Sequence, residues 1–436
     1  MRISRLALLL IAAIICPLAG APAARAAGPT PGPCAEGALP GGALWLICVP
    51  ASGWNGDVVL WAHGYVAPQE PLQFANLDLP DGTYLPELVQ QLGFAFATTS
   101  YRSNGLVALD ALDDMRQLVA QYRALARPAP ASRTYLTGAS EGGLVNALLA
   151  ERSPQLFSGA LAACGPVGSF HAQLAYWGDF RLLFDYFFPD VLPGSPIAIP
   201  QELIDSWDTV YAPRISDAIR ANPVAARELI ATARAPIDPA DPDTVLATTL
   251  SLLWYNVFAT NDGVGRLGGN PFDNQRRWYS GSSNDLRLNL AIPRYTADPD
   301  ALLALAAYET SGRPAIPVVL PHTTRDELIR VDQAIRYWLK ARPAGDGPVT
   351  PVLVPRYGHC NFTTAELLLS FGLLVLQVTG EPDPRIAAMA GGQLDLGATQ
   401  AALEQQRALY LAAGRAEPRA ESGFQGGRVY LPAIER

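Results

Sequence analysis

Residues 135–150 read YLTGASEGGLVNALLA: a stub suited to a β-strand, a serine enclosed by small residues, and then an apolar run suited to a helix. Within it Gly138-Ala139-Ser140-Glu141-Gly142 fits the pattern G-x-S-x-G, with a further glycine at Gly143. The pattern serves a sharp strand-to-helix turn. The serine takes a strained backbone, side chains at the flanking positions would clash, and Oγ is pushed out over the sheet edge. The turn also leaves the amide of Glu141 at a helix N-terminus, where it can donate to a developing oxyanion. Small-residue stretches match the pentapeptide by chance in a Gly- and Ala-rich chain, so the alternative is a hydroxyl in a structural turn. The strand directly before and the helix directly after favour a nucleophile.

Outward from this stretch, short apolar runs recur with helical stretches between them: Leu44 to Val49, Val58 to Ala62, Phe94 to Thr98, Thr134 to Thr137, Gly159 to Ala163, Ile316 to Leu320 and Pro351 to Val354. Between the third and fourth, Leu106 to Ala126 places Leu112, Met115, Leu118, Val119 and Tyr122 at helical period. Strand, helix and strand repeated in this way predict an α/β protein whose mostly parallel sheet is covered by helices on both faces. A turn-rich segment joins the first two runs, which are candidates for an antiparallel pair. The alternation stops near Phe170 and resumes near Ala315. The intervening stretch is rich in aromatics, from Trp177 and Phe180 to Trp278 and Tyr279, and predicts a mainly helical cap over residues 169–312, inserted between core segments 27–168 and 313–436. Most of these aromatics read as the cap's own core, with a few at its underside lining a pocket. Helices from Thr363 to Thr379 and from Thr399 to Ala413 are predicted to follow.

The N-terminus has its own reading. Arg2 and Arg5 precede the apolar run Leu6 to Cys16, and Ala24-Arg25-Ala26 offers a cleavage site, as in a secretory signal over residues 1–26. The run is too short to span a membrane, and no later run reaches about 18 apolar residues, so the expectation is export without a membrane span. Removing the signal takes three of 32 basic residues, leaving 29 against 40 acidic ones, a formal charge of −11. An acidic field with no basic run argues against nucleic acid as a partner. Four cysteines then remain, Cys34, Cys48, Cys164 and Cys360. In an exported protein an even count favours disulfides, with three possible connectivities. Cys34 and Cys48 flank a short turn and would close a small loop, leaving Cys164 with Cys360. The chain has neither CxxC nor HExxH, so no metal site is expected, and no cofactor is called for. Oligomeric state stays open.

A serine at its ordinary pKa needs a base, and the chain has four histidines. His359 follows the strand Pro351 to Val354 and so can meet Ser140 at the C-terminal edge of the sheet. His63 precedes Gly64 and Tyr65 after an early strand, where it is either part of an oxyanion loop with the Tyr65 amide as donor or a histidine packed at a strand end. His171 begins the cap and reads as a surface or cap residue; His322 lies four residues before Asp326. The orienting acid belongs just past the preceding strand, which selects Asp326, with Glu327 as the other candidate and a plain helix N-terminal carboxylate as the non-catalytic reading.

Taken together, Gly138 to Gly143, His63-Gly64, Asp326 and His359 resemble the α/β-hydrolase superfamily over roughly Leu44 to Gly168 and Ala315 to Thr379. The resemblance implies a mostly parallel eight-stranded sheet, a cap inserted after the sixth strand, a Ser140-Asp326-His359 triad, and an oxyanion hole from the amides of Glu141 and Tyr65. The doubled glycine after the serine is similar to prolyl-oligopeptidase-like peptidases and to secreted polyester, feruloyl and tannin esterases. In the tannase and feruloyl group a disulfide links the residue before the serine to the one after the histidine. Here Ala139 precedes Ser140, so a Cys164–Cys360 bridge would brace the histidine loop from the next strand instead. The expected activity is hydrolysis of a small-molecule or polymeric carboxylic ester, with a peptidase or amidase as the alternative. Because His359 must be neutral to act as base, activity is expected to decline as pH falls through roughly 6 to 7.

Overall fold

The computed structural model of the chain describes residues 28–125, 130–341 and 347–390. The predicted signal over residues 1–26 and the helix from Thr399 to Ala413 lie outside the described residues. Eight strands form one sheet: β1 (Cys34–Ala38), β2 (Leu44–Cys48), β3 (Val58–Ala62), β4 (Ala95–Thr99), β5 (Thr134–Ala139), β6 (Gly159–Ala163), β7 (Val318–Arg325) and β8 (Val349–Tyr357). Their order is β1-β2-β4-β3-β5-β6-β7-β8. Strands β4, β3, β5, β6, β7 and β8 run parallel, while β1 and β2 are antiparallel additions at one edge. This is the α/β-hydrolase architecture.

Strands β3, β4 and β6 are buried along their whole length, as continuous Val/Leu/Ala/Phe runs require when helices cover both sides. On one face lie α2 (Ala108–Ala124), α3 (Glu141–Arg152) and α11 (Asp332–Ala341), which follow α1 (Leu85–Gln91) in the chain only after the sheet has begun; their apolar sides join Val58, Leu60, Leu136 and Ala160 in one core. On the other face α1 and α12 (Thr364–Thr379) pack with Val59, Trp61, Phe96, Tyr135 and Leu161 in a second core. A short α13 (Pro384–Met389) follows and adds Ile386 to that second core.

Between β6 and β7 the described chain is helical: α4 (Phe170–Phe187), α5 (Gln201–Asp205), α6 (Ala212–Ala221), α7 (Pro223–Ala233), α8 (Thr244–Leu267), α9 (Asp285–Ala291) and α10 (Pro299–Leu305). Phe180, Phe184, Trp207, Tyr211 and Tyr279 are buried among these helices, whereas Trp278 is exposed.

One sequence expectation is corrected, and one strand left no mark in the sequence. The runs forming β2 and β3 do not pair, because β4 inserts between them. The segment before the first turn is itself a strand, β1, whose residues are all exposed and therefore carry no hydrophobic signature; Cys34 and Cys48 face each other across the β1–β2 hairpin and are disulfide-bonded. Strands β7 and β8 also extend beyond their apolar runs, to Arg325 and Tyr357, which carries Asp326 and His359 to the sheet's C-terminal edge.

Candidate active site

Ser140 stands between β5 and α3 with φ 58° and ψ −122°, a conformation that costs a non-glycine residue strain and persists only where its surroundings enforce it. The enforcement comes from both sides. The Ser140 amide donates to the Ala163 carbonyl of β6 at 2.9 Å, and the amide of Gly143 returns to the Ser140 carbonyl at 3.0 Å, opening α3. A Cβ on Gly138 would sit 2.6 Å from the Ala62 carbonyl oxygen, and one on Gly142 would overlap the same oxygen. The two glycines of the motif are thus positions at which β3 passes too close for any side chain.

His359 follows β8, and Asp326 follows β7. His359 Nε2 is 2.9 Å from Ser140 Oγ, and Nδ1 is 2.8 Å from Asp326 Oδ2. Asp326 is fully buried, and its other oxygen accepts from the amides of Leu328 (3.0 Å) and Ile329 (2.8 Å), which hold the carboxylate in place. Glu327 points elsewhere: Oε1 accepts from Ser251 on α8 at 3.2 Å, and burial raises its pKa. Burial is the largest single influence on His359 and favours the neutral ring, but the charge and hydrogen bond of Asp326, with the charge of Glu327, outweigh it and raise the pKa. The imidazole is therefore poised to take a proton.

Cys164 and Cys360 are bonded, with Cα atoms 5.5 Å apart. The bridge ties the end of β6 to the residue after His359, and both cysteines have positive φ. Their sulfurs cluster with His359, but as partners in a disulfide they are not thiolate ligands for a metal.

The loop after β3 closes the site on the other side. A Cβ on Gly64 would lie 3.3 Å from Ser140 Cβ, so the Gly64–Tyr65 backbone runs alongside the serine. His63 does not reach the serine: it is buried, stacks on Tyr101 with centroids 3.9 Å apart, and bonds the Gly64 carbonyl through Nδ1 at 2.7 Å. Burial lowers its pKa. His171 is exposed at the start of α4.

Two residues near the site carried no functional role in the sequence reading. Asn76 accepts the Gly64 amide through Oδ1 at 3.1 Å, holding the loop beside Ser140; nothing in its sequence context marks it. His322, inside β7, bonds the Ile329 carbonyl at 2.7 Å and lies 3.7 Å from Asp326 Oδ2. Its signal was the four-residue spacing to Asp326.

Helix α8 bonds to three segments near the site. Tyr65 Oη donates to the Phe258 carbonyl (2.9 Å), Thr248 meets Tyr357 Oη (2.9 Å), and Asp262 accepts the Leu106 amide (2.8 Å). Ser140 and His359 open onto a cavity of ≈ 360 Å³. From the helical insertion Tyr255 lines it, while Trp177, Phe180, Phe184, Trp207 and Tyr211 pack within the insertion's own core.

No protein-family model and no curated protein sequence matches the chain. Among solved structures it is similar to feruloyl esterase B from Aspergillus oryzae, at 13% identity and a TM-score of 0.44 over 78% of this chain and 79% of that one. It is also similar to an esterase from Aspergillus oryzae, at 13% identity and a TM-score of 0.45 over 78% and 77%. An acylaminoacyl peptidase in complex with a chloromethyl ketone aligns at 13% identity and a TM-score of 0.41 over 82% of this chain and 42% of that one. The chain spans about two fifths of the length of the acylaminoacyl peptidases it matches.

Proposed function

We propose that the chain is an exported serine hydrolase that cleaves a carboxylic ester through an acyl-enzyme on Ser140. The observation that carries this reading is the unbroken relay of hydrogen bonds from Ser140 Oγ through His359 to Asp326, at 2.9 and 2.8 Å. His359 Nε2 takes the Ser140 proton as Oγ bonds to the substrate carbonyl carbon. The amides of Glu141 and Tyr65 hold the resulting oxyanion, each worth about 3 kcal/mol in the transition state. The ester C–O bond then breaks, and His359 returns its proton to the departing alcohol. Water adds by the same route: His359 accepts its proton, the Oγ–acyl bond breaks as His359 returns that proton to Ser140 Oγ, and the acid leaves. Asp326 fixes the ring's tautomer and stabilises the imidazolium that forms at each step.

The helices over residues 169–312 act in this reading as the cap over the site. The predicted signal over residues 1–26, together with two disulfides of the kind that form in oxidising compartments, supports export. No described helix is long and apolar enough to cross a membrane. The test is hydrolysis of matched nitrophenyl esters and peptide anilides by the protein and by Ser140→Ala. Ester turnover lost in the variant is the expected result. Anilide turnover without ester turnover would replace this reading with a peptidase, and equal activity in the variant would remove Ser140 from the mechanism.

A further inference from the structure

We infer that the cavity beside Ser140 is an acyl-chain site, built beneath the sheet and not under the helical cap, that takes an unbranched aliphatic acyl group of medium length. The inference rests on the ester-hydrolase reading above and names the substrate class it serves.

The direction of the cavity follows from strand alternation. Side chains that point to one sheet face recur every second residue, and the cavity takes Val59 and Trp61 from β3, Thr137 and Ala139 from β5, and Leu161 and Ala163 from β6. All six lie on the side of α1 and α12, opposite α2 and α3. The facing wall is Leu85 and Leu88 of α1 and Leu92 just after it, with Leu367, Leu368 and Phe371 of α12. A space of ≈ 360 Å³ here is conspicuous because protein interiors are packed as densely as organic crystals and unfilled core volume destabilises them. The space is also within the range of small-molecule sites, about 300 to 1,000 Å³. Ser140 and His359 both line it. An acyl carbon bonded to Ser140 Oγ therefore has its chain directly against the cavity.

The lining selects the chain's chemistry. Branched aliphatic side chains dominate, and the polar groups in the interior are already committed: Thr137 Oγ1 donates to the Leu60 carbonyl at 3.1 Å, and Trp61 Nε1 to the Ala75 carbonyl at 3.3 Å. Of the remaining polar linings away from the serine and histidine, Tyr65 Oη donates to the Phe258 carbonyl at 2.9 Å, Tyr255 belongs to the helical insertion, and Asn76 and Asp78 are exposed. A hydroxylated aromatic acyl group placed between the sheet and the two helices would bury its hydroxyl among aliphatic side chains, and a charged one would fare worse. An alkyl chain leaves nothing unpaired. The wall formed by Leu85 to Leu92 rises about 10 Å at 1.5 Å per residue, the length of a chain of roughly six to ten carbons.

The experiment is kcat/KM for nitrophenyl esters from acetyl to palmitoyl, with Leu88→Trp and Leu368→Trp as plugs from the two helices, and with free octanoate and free ferulate as inhibitors of acetyl-ester hydrolysis. The expected profile climbs about three- to fourfold per methylene up to a medium chain and then levels off. Each plug should lower the octanoyl-to-acetyl ratio at least tenfold, and octanoate should inhibit more strongly than ferulate. A flat profile with good acetyl turnover would overturn the acyl site and leave the hydrolase reading intact. A rising profile that both folded plugs leave unaltered would overturn it too, by placing the chain elsewhere. If the plugs fail to fold, the inhibition series with the unaltered protein decides, and stronger inhibition by ferulate would refute the aliphatic assignment. Failure to hydrolyse an ester of any length would refute the hydrolase reading itself, and the site with it.

Discussion

Glu141 supplies a backbone amide to the proposed oxyanion hole, yet its side chain is the less comfortable part of the residue. It is the first residue of α3 and only 5% exposed, and its buried carboxyl has no side-chain partner, only the nearby amides of Val107 and Ala108. Burial pushes the carboxyl from its ordinary 4.5 up to about 8; Asp262 adds to the rise, while the nearby amides of Val107 and Ala108 and the charge of Arg266 temper it. A folded-state pKa above the unfolded value means that Glu141 costs nothing electrostatically below pH 4.5 and increasingly burdens the fold as pH rises toward 8. Each tenfold change in proton affinity is worth about 1.4 kcal/mol, so the full cost above pH 8 is on the order of 5 kcal/mol. Glu141→Gln keeps the shape and the backbone amide and removes the titration. Its melting temperature should match the parent's near pH 4.5 and exceed it progressively at higher pH. The gap should reach roughly 5 °C by pH 9, at about 1 °C per kcal/mol for a chain of this size. Thermal melts of both proteins at half-unit pH steps measure the gap directly, and other titrating groups cancel in the difference. Two parallel curves would refute the buried neutral acid.

The raised pKa of His359 moves the acidic limb of kcat/KM above the ordinary histidine value of 6.5: activity is lost as pH falls through the folded-state pKa, and a pH–rate profile with no such limb would contradict His359 as base. The same shift stabilises the fold fully below 6.5 and ceases to do so as pH rises through the higher folded value, so the histidine's contributions to stability and activity run in opposite directions. Replacing Cys164 and Cys360 together by alanine should cost about 2 to 5 kcal/mol and also lower kcat, because the bridge adjoins His359. Removing Cys34 and Cys48, at the sheet edge, should affect melting alone, and paired melts and turnover numbers distinguish the two.

The parts of this molecule most legible in its sequence are those where backbone geometry leaves one residue type. Gly138 and Gly142 are dictated by the passage of the Ala62 carbonyl, and the continuous apolar runs of β3, β4 and β6 by helices on both faces. The pairing of Asp326 with His359 was narrower than sequence could decide. Asp326 and Glu327 are adjacent carboxylates leaving one strand, and the amides of Leu328 and Ile329 turn the first inward while Ser251 of α8 engages the second. Strand β1 was illegible because an exposed edge strand needs no apolar pattern, and the order of β2, β4 and β3 because adjacency in a sheet leaves no mark on local sequence. The cavity was illegible for a related reason. Leu88, Leu161 and Leu368 have the periodicity of core residues, and periodicity says which face a side chain takes without saying whether the space before it is filled. Most aromatics of the insertion are occupied with each other, while Tyr255 lines the cavity.

The central claim is that Ser140 is a nucleophile activated by His359, and covalent capture tests it most directly. The protein and its His359→Ala variant are treated with an alkyl fluorophosphonate at neutral pH and the adduct is located by peptide mass. One phosphonyl group on the peptide containing Ser140, formed rapidly in the parent and orders of magnitude more slowly in the variant, is the predicted result. Labelling at another residue, or equal rates with and without the imidazole, would contradict it.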